Sequence, residues 1–221
     1  MKSSGPGEFR EIDRWDGGVG WLAHPEEGMQ RASHALATDD GVYVVDPVDA
    51  EGLDDLLAEF GEVAGVVLLL DRHKRDCAAI ARRHGVPVYV PSFMRGVAGE
   101  LSAETSLFDG GVGGYELRTV VDNPLWNEGA LFDEATGTLV VSESLGTVDY
   151  MTAPGERLGV HPMRRLTPPR SLRSLPVERV LVGHGAGVHE RASEALVDAI
   201  DGAVRGAPSL YLKTLRSALS G

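Results

Sequence analysis

Apolar residues recur along this chain at two spacings, and the two alternate. Leu53, Leu56, Leu57 and Phe60 lie three or four residues apart, with Asp54, Asp55 and Glu59 opposite, which predicts a helix over 53–60. Val63 to Leu70 is a continuous apolar run, too short for most helices and rich in Val, so it predicts a strand buried on both faces. Gly41-Val42-Tyr43-Val44-Val45-Asp46-Pro47 predicts an earlier strand stopped by its proline. Asp76 to His84 predicts a second helix, with Cys77, Ile80 and Ala81 facing inward and Gly85 ending it. Val86 to Pro91 is the strand after it, so this half reads strand, helix, strand, helix, strand.

The second half changes character. Tyr115 to Val121, Gly129 to Asp133 and Thr138 to Ser142 predict three strands, the last two joined by a tight hairpin at Glu134-Ala135-Thr136-Gly137. Pro154 to Pro176 predicts an irregular excursion with a short helix. Glu178 to Val182 predicts a buried strand, and His189 to Val204 and Ser209 to Leu219 predict two closing helices. Mixed strands with helices in both halves point to two sheets with helices outside. A doubly wound parallel sheet is the alternative, and the hairpin near Gly137 argues against a purely parallel one. With 221 residues and no linker, the chain is expected to form one domain over 1–221.

Composition narrows the function. A net charge of −12 disfavours binding to phosphate backbones, so no nucleic-acid partner is expected. No apolar run approaches the ~20 residues needed to span a bilayer, so no membrane partner is expected. Met1 to Pro6 is followed by no apolar stretch, so no signal peptide is expected, and the single Cys77 suits a reducing cytoplasm. Gly110-Gly111-Val112-Gly113-Gly114 leads into a strand rather than a helix, which argues against a phosphate loop. Ser142 and Ser144 lack a Gly-x-Ser-x-Gly elbow, and Cys77 reads as inert core. His24 and His34 read as hydrogen-bonded structural residues, and His84 as a helix end. His161 and His189 read as surface or helix-cap residues, with His189 also able to support His184.

Two segments carry candidate chemistry. Asp71-Arg72-His73-Lys74-Arg75-Asp76 follows the apolar run Val66-Val67-Leu68-Leu69-Leu70, and Gly183-His184-Gly185 follows Val180-Leu181-Val182. Each sets polar side chains at the end of a buried strand. Ligands two apart in an extended loop face one side, and those at a helix start point back to the same pocket.

On these segments, and on Gly41 to Pro47, the chain resembles the metallo-β-lactamase-fold superfamily, whose signature after a buried strand is His-x-His-x-Asp-His. The resemblance runs roughly from Ser33 to Ala203. It implies an α/β (α+β) fold, a four-layer αββα sandwich. His73 matches the second His of the signature and His184 the late ligating His. Asp71 and Asp76 stand at the first and last His positions, and Glu143 stands where a bridging Asp belongs. Arg75 replaces the signature Asp, and Trp126 falls at a further His position; neither can ligate a divalent ion. A two-metal site is thereby not expected. The resemblance implies at most one ion, zinc or manganese, held by His73, Asp76, Glu143 and His184, with Asp71 and Arg75 as the catalytic residues beside it and Trp126 lining a substrate pocket. The substrate would be a small ester or thioester.

The rival reading needs no ion. Arg75 could pair with Asp71, Asp76 or Glu143 and supply the positive charge itself, leaving a non-catalytic protein that binds an anion. Leu210, Leu212, Leu215 and Leu219 lie on overlapping faces of the last helix, which leaves packing at home or against a second copy, as a homodimer, both open.

Overall fold

Alternation along single strands builds this fold. In the computed structural model, which describes residues 9–220 and side chains through 216, strand β4 (Gly41–Val45) sends Val42 and Val44 to one cluster and Tyr43 and Val45 to another. A strand inverts its side chains at every residue, so one strand feeds two cores. Residues 1–8, including the segment read for a leader, lie outside the described residues.

The first sheet takes its seven strands in chain order: β1 (Arg10–Trp15), β2 (Gly18–Leu22), β3 (Ala32–Thr38), β4, β5 (Val63–Val67), β6 (Val88–Pro91) and β7 (Thr105–Phe108). Pairing is antiparallel through β4 and parallel from β4 to β7. The parallel steps are bridged by α1 (Leu53–Ala58), by α2 (Cys77–His84), and by a short α3 (Arg95–Ala98). Helix α1 buries Leu53, Leu56 and Leu57; α2 buries Cys77, Ile80 and Ala81 and ends on Gly85 at φ 68°. Only glycine takes that left-handed conformation freely.

The second sheet has order β14-β11-β10-β9-β8, from β8 (Gly111–Val112), β9 (Tyr115–Asn123), β10 (Trp126–Asp133), β11 (Thr138–Val141) and β14 (Arg179–Val182). The β10–β11 hairpin is antiparallel and β11–β14 is parallel, so neither sheet is purely parallel. A two-stranded ribbon, β12 (Leu145–Gly146) and β13 (Gly159–Val160), precedes β14.

Three clusters separate four layers. Val42, Val44 and Val66 pack outward on α1 and α2. Val45, Val67, Leu69, Leu131, Val140 and Leu181 meet between the sheets. Leu139, Val141, Val180 and Val182 pack outward on α4 (Ala192–Ser220). Each buried Val or Leu contributes about 1.5–3 kcal/mol relative to exposure. This is the expected αββα sandwich.

Local expectations are corrected at the carboxyl end. The two closing helices are one, continuous through Pro208. Pro208 can make no bond to the carbonyl of Val204, a residue 49% exposed, so water can satisfy that group. Buried Ala203, Ala207 and Leu210 hold the helix to the core on either side of the proline. The helix begins at Ala192 rather than His189. The 154–176 excursion carries two single 3-10 turns, Pro162–Arg164 and Arg170–Leu172, in place of one short helix. Leu210 is buried while Leu212 and Leu215 are exposed; the side chain of Leu219 lies outside those described. No helix among the described residues is long and apolar enough to cross a membrane.

Candidate functional site

Backbone bonds at the sheet ends fix the loops that carry the site. Beyond β5, Gly129 N donates to Leu69 O at 2.7 Å and Asp71 N to Asn127 O at 3.1 Å, joining the two sheets. His73 N then donates to Leu70 O at 2.9 Å, which turns the chain and brings His73 back over the sheet ends. Past β14, Ala32 N donates to Gly183 O and Gly185 N to Gln30 O, both at 2.9 Å. Gly185, at φ 89°, allows the turn that leaves His184 pointing inward.

The two loops meet. The His73 and His184 rings lie 5.5 Å apart by centroid. His73, Glu143 and His184 each offer one ligand atom, and these atoms lie within 4.8 Å of one another. The second nitrogen of each imidazole is already engaged. His73 Nδ1 lies 3.1 Å from Asp46 Oδ2, and His184 Nδ1 lies 2.9 Å from Met29 O. A carboxylate or carbonyl can only accept, so each Nδ1 carries the proton and each Nε2 presents a lone pair. Metal-binding histidines are oriented in this way. His184 Nε2 and Glu143 Oε2 are buried without a hydrogen-bond partner. Burial first, then His73 and Arg75, holds the His184 pKa at about 3, so the ring is neutral at pH 7. Burial raises the Glu143 carboxyl. Two imidazoles and a carboxylate suit one divalent ion.

Arg75 stands differently from expectation. It pairs with none of Asp71, Asp76 or Glu143. Its guanidinium donates to Ala32 O at 2.6 Å, Asp46 O at 2.7 Å and Gly183 O at 3.1 Å, and lies 3.4 Å from His73 Nε2. Backbone carbonyls of both sheets take the donors that the carboxylates were expected to receive. Arg75 and Asp46 hold φ at 36° and 44°, a region disfavoured for residues with a side chain.

Asp71 and Asp76 do not join the cluster. Asp71 Oδ2 accepts Asn127 N at 2.9 Å, and its other oxygen faces Arg72 at 3.4 Å. Asp76 Oδ2 accepts Asp49 N at 2.9 Å, tying α2 to the loop after β4. Trp126 is 5% exposed, so it offers little surface to a ligand. Its Nε1 donates to Glu128 at 2.9 Å, Arg72 covers its face at 4.2 Å and His161 meets its edge at 5.1 Å. Arg72, 42% exposed, is therefore the group at the mouth, with its Nε 3.6 Å from Glu143.

Sequence reasoning missed three contributors. Asp46 is buried; besides His73 it accepts Leu69 N at 2.9 Å and the Ser142 hydroxyl. Its position just before Pro47 at the end of a strand was the available signal. Glu128 is buried behind Glu143, in the segment that supplied Trp126. His161 does cap a 3-10 turn through Nδ1, as a cap reading allows, but its Nε2 lies 3.7 Å from Glu143. Burial lowers its pKa to about 4. It sits in the irregular excursion, where no periodicity marks it. His34 is a structural histidine, bonded to Val182 O at 3.0 Å, and His189 contacts Asp13 rather than His184.

No family model and no curated protein matches the chain. Solved structures do. DIM-1 metallo-β-lactamase aligns over 89% of this chain and 98% of its own, with TM-score 0.59 and 12% identity. TMB-1 aligns over 90% and 99%, with TM-score 0.58 and 15% identity. TTHA1623 in a di-iron-bound form aligns over 77% and 93%, with TM-score 0.55 and 17% identity. Such low identities speak to architecture alone, and with the four layers described above they establish that the chain has the metallo-β-lactamase fold.

Proposed function

We propose that the chain is a hydrolase working with a single divalent ion, zinc or manganese, on a small ester or thioester. The observation that carries this reading is the convergence of one ligand atom each from His73, His184 and Glu143, with both imidazoles oriented from behind through Nδ1. When bound there, the ion would supply Lewis acidity, polarising a carbonyl and acidifying a water. His73, His184 and Glu143 hold it. Arg75, fixed by three carbonyls, places a permanent cation beside His73 and so opposes a second ion. Arg72, kept over Trp126 and beside Asp71, would orient an anionic end of the substrate.

A second reading is favoured by one feature. The Arg75 Nε is buried without a hydrogen-bond partner, as a pocket that holds an anion without an ion would present it. Turnover of a panel of aryl esters and acyl thioesters separates the two. Hydrolysis that stops after chelation, returns with zinc or manganese and is lost in His184→Ala supports the first. Absence of hydrolysis, together with carboxylate or phosphate binding by chelated protein, supports the second and defeats the first.

A further inference from the structure

Glu128 is a buried carboxylate outside the ligand set, at 0% exposure, and its oxygens accept four hydrogen bonds. One oxygen takes Glu143 N and Ser144 N, each at 2.8 Å. The other takes Trp126 Nε1 at 2.9 Å and Ser144 Oγ at 2.5 Å. All four donors are neutral. Among the described residues no salt bridge ties it down; Arg164 is the cation that feels its charge. Burying a carboxylate without a bonded cation is costly, and acceptors filled by four donors are what make it tolerable.

Its place explains the expense. The Glu128 backbone bridges to Leu70, and its neighbours Asn127 and Gly129 bond Asp71 and Leu69, so it adjoins the loop that carries His73. Its side chain crosses to the backbone of Glu143 and Ser144, where the third ligand group sits. Trp126, at the position where the resemblance expected a histidine, spends its indole N–H on locking Glu128. Arg72, Arg75 and Arg164 face Asp46, Glu128 and Glu143 there, with Asp71 at the rim, so removing the Glu128 charge would leave cations in excess beside the ligands.

We infer that Glu128 is a positioning residue: it grips Glu143 from behind so that its carboxylate meets His73 and His184, and it supplies buried negative charge that lets a divalent ion sit beside Arg75. This rests on the single-ion reading above.

The test is zinc binding to chelated full-length protein, measured by competition with a chromophoric chelator, with near-ultraviolet circular dichroism as the check on folding. Wild type is expected to take up zinc. Glu128→Gln, which keeps the shape and removes the charge, is expected to bind about 10–100-fold more weakly, the range for residues that support ligands. Glu128→Asp, which keeps the charge, is expected to fall between them. A purely structural role would lower the melting temperature and leave the zinc affinity of folded protein unchanged. Trp126→Phe removes one donor and leaves the carboxylate, so it serves if Glu128→Gln does not fold; a weakening smaller than tenfold is expected. Wild-type zinc affinity in a folded Glu128→Gln or Trp126→Phe variant, or equal weakening by Gln and Asp, overturns the inference while leaving the single-ion reading intact. Failure of wild type to bind zinc overturns both.

Discussion

Replacing Arg75 with Met is the perturbation with the most to say about how the two sheets are held together at the site. The guanidinium bonds Ala32 O and Asp46 O from the first sheet and Gly183 O from the end of the second. Met is shorter and has no donors, so three inward carbonyls each lose a charged donor, while Gly183 O keeps Ala32 N at 2.9 Å and Asp46 O keeps the Ser33 hydroxyl at 3.1 Å. A hydrogen bond from a charged donor is worth about 1.5–3 kcal/mol, and water entering beside the shorter side chain recovers part of it. Removing the guanidinium also relieves the desolvation that lowers its pKa. The φ of 36° is no easier for Met, so no backbone relief is added. The net expectation is a loss of about 3–5 kcal/mol. For a domain of this size that corresponds to about 6–20 °C in Tm. Urea denaturation of chelated protein measures it directly. The folded variant should also bind zinc more tightly, because a fixed cation has left the site. A loss below about 1 kcal/mol, the value of an ordinary surface contact, would refute the anchoring role.

Two further outcomes follow from the same geometry. Chelated protein should lose stability as pH falls from 6.5 toward 4, because His184 and His161 have folded pKa values of about 3 and about 4, below the ordinary 6.5. In that window the unfolded chain binds protons that the folded chain refuses, so acid favours unfolding; Asp46 and Glu128, raised by burial, oppose part of this. His184→Asn should flatten the urea-midpoint profile, and an unchanged profile contradicts the assignment. Gly183→Ala should cost about 1–3 kcal/mol and weaken zinc binding, since a Cβ there would lie 2.1 Å from Ser142 O and must part β14 from β11 beside His184; thermal melts with and without zinc check both effects.

Much of the layer structure was legible because apolar spacing reports which faces are buried. Val63 to Leu70 reads as a doubly buried strand, and β5 does separate the outer cluster from the inner one. Gly85 and Gly137 were legible as a helix end and a hairpin turn, since both adopt positive φ. The meeting of His73 with His184 followed from both lying just past buried strands. Side-chain partners across the sheets were not legible. Arg75 reads as a mate for nearby carboxylates, and what captures it are carbonyls whose positions only the packed sheets define. Asp76 carries the right residue type at the right spacing, yet its carboxylate is taken by Asp49 N. Trp126 reads as a pocket wall and is instead covered by Arg72 and bonded to Glu128, a carboxylate that strand periodicity gives no reason to bury. The break expected between Val204 and Ser209 is absent because the core holds α4 on both sides of Pro208, which local propensity cannot see.

The central claim is that His73, Glu143 and His184 form one ion site with Arg75 excluding a second. Native mass spectrometry of protein prepared without chelator and then supplied with zinc tests it most directly. The account predicts one zinc per chain, absent from His73→Ala and from His184→Ala. Two zinc ions per chain, or one retained undiminished in both variants, would contradict it.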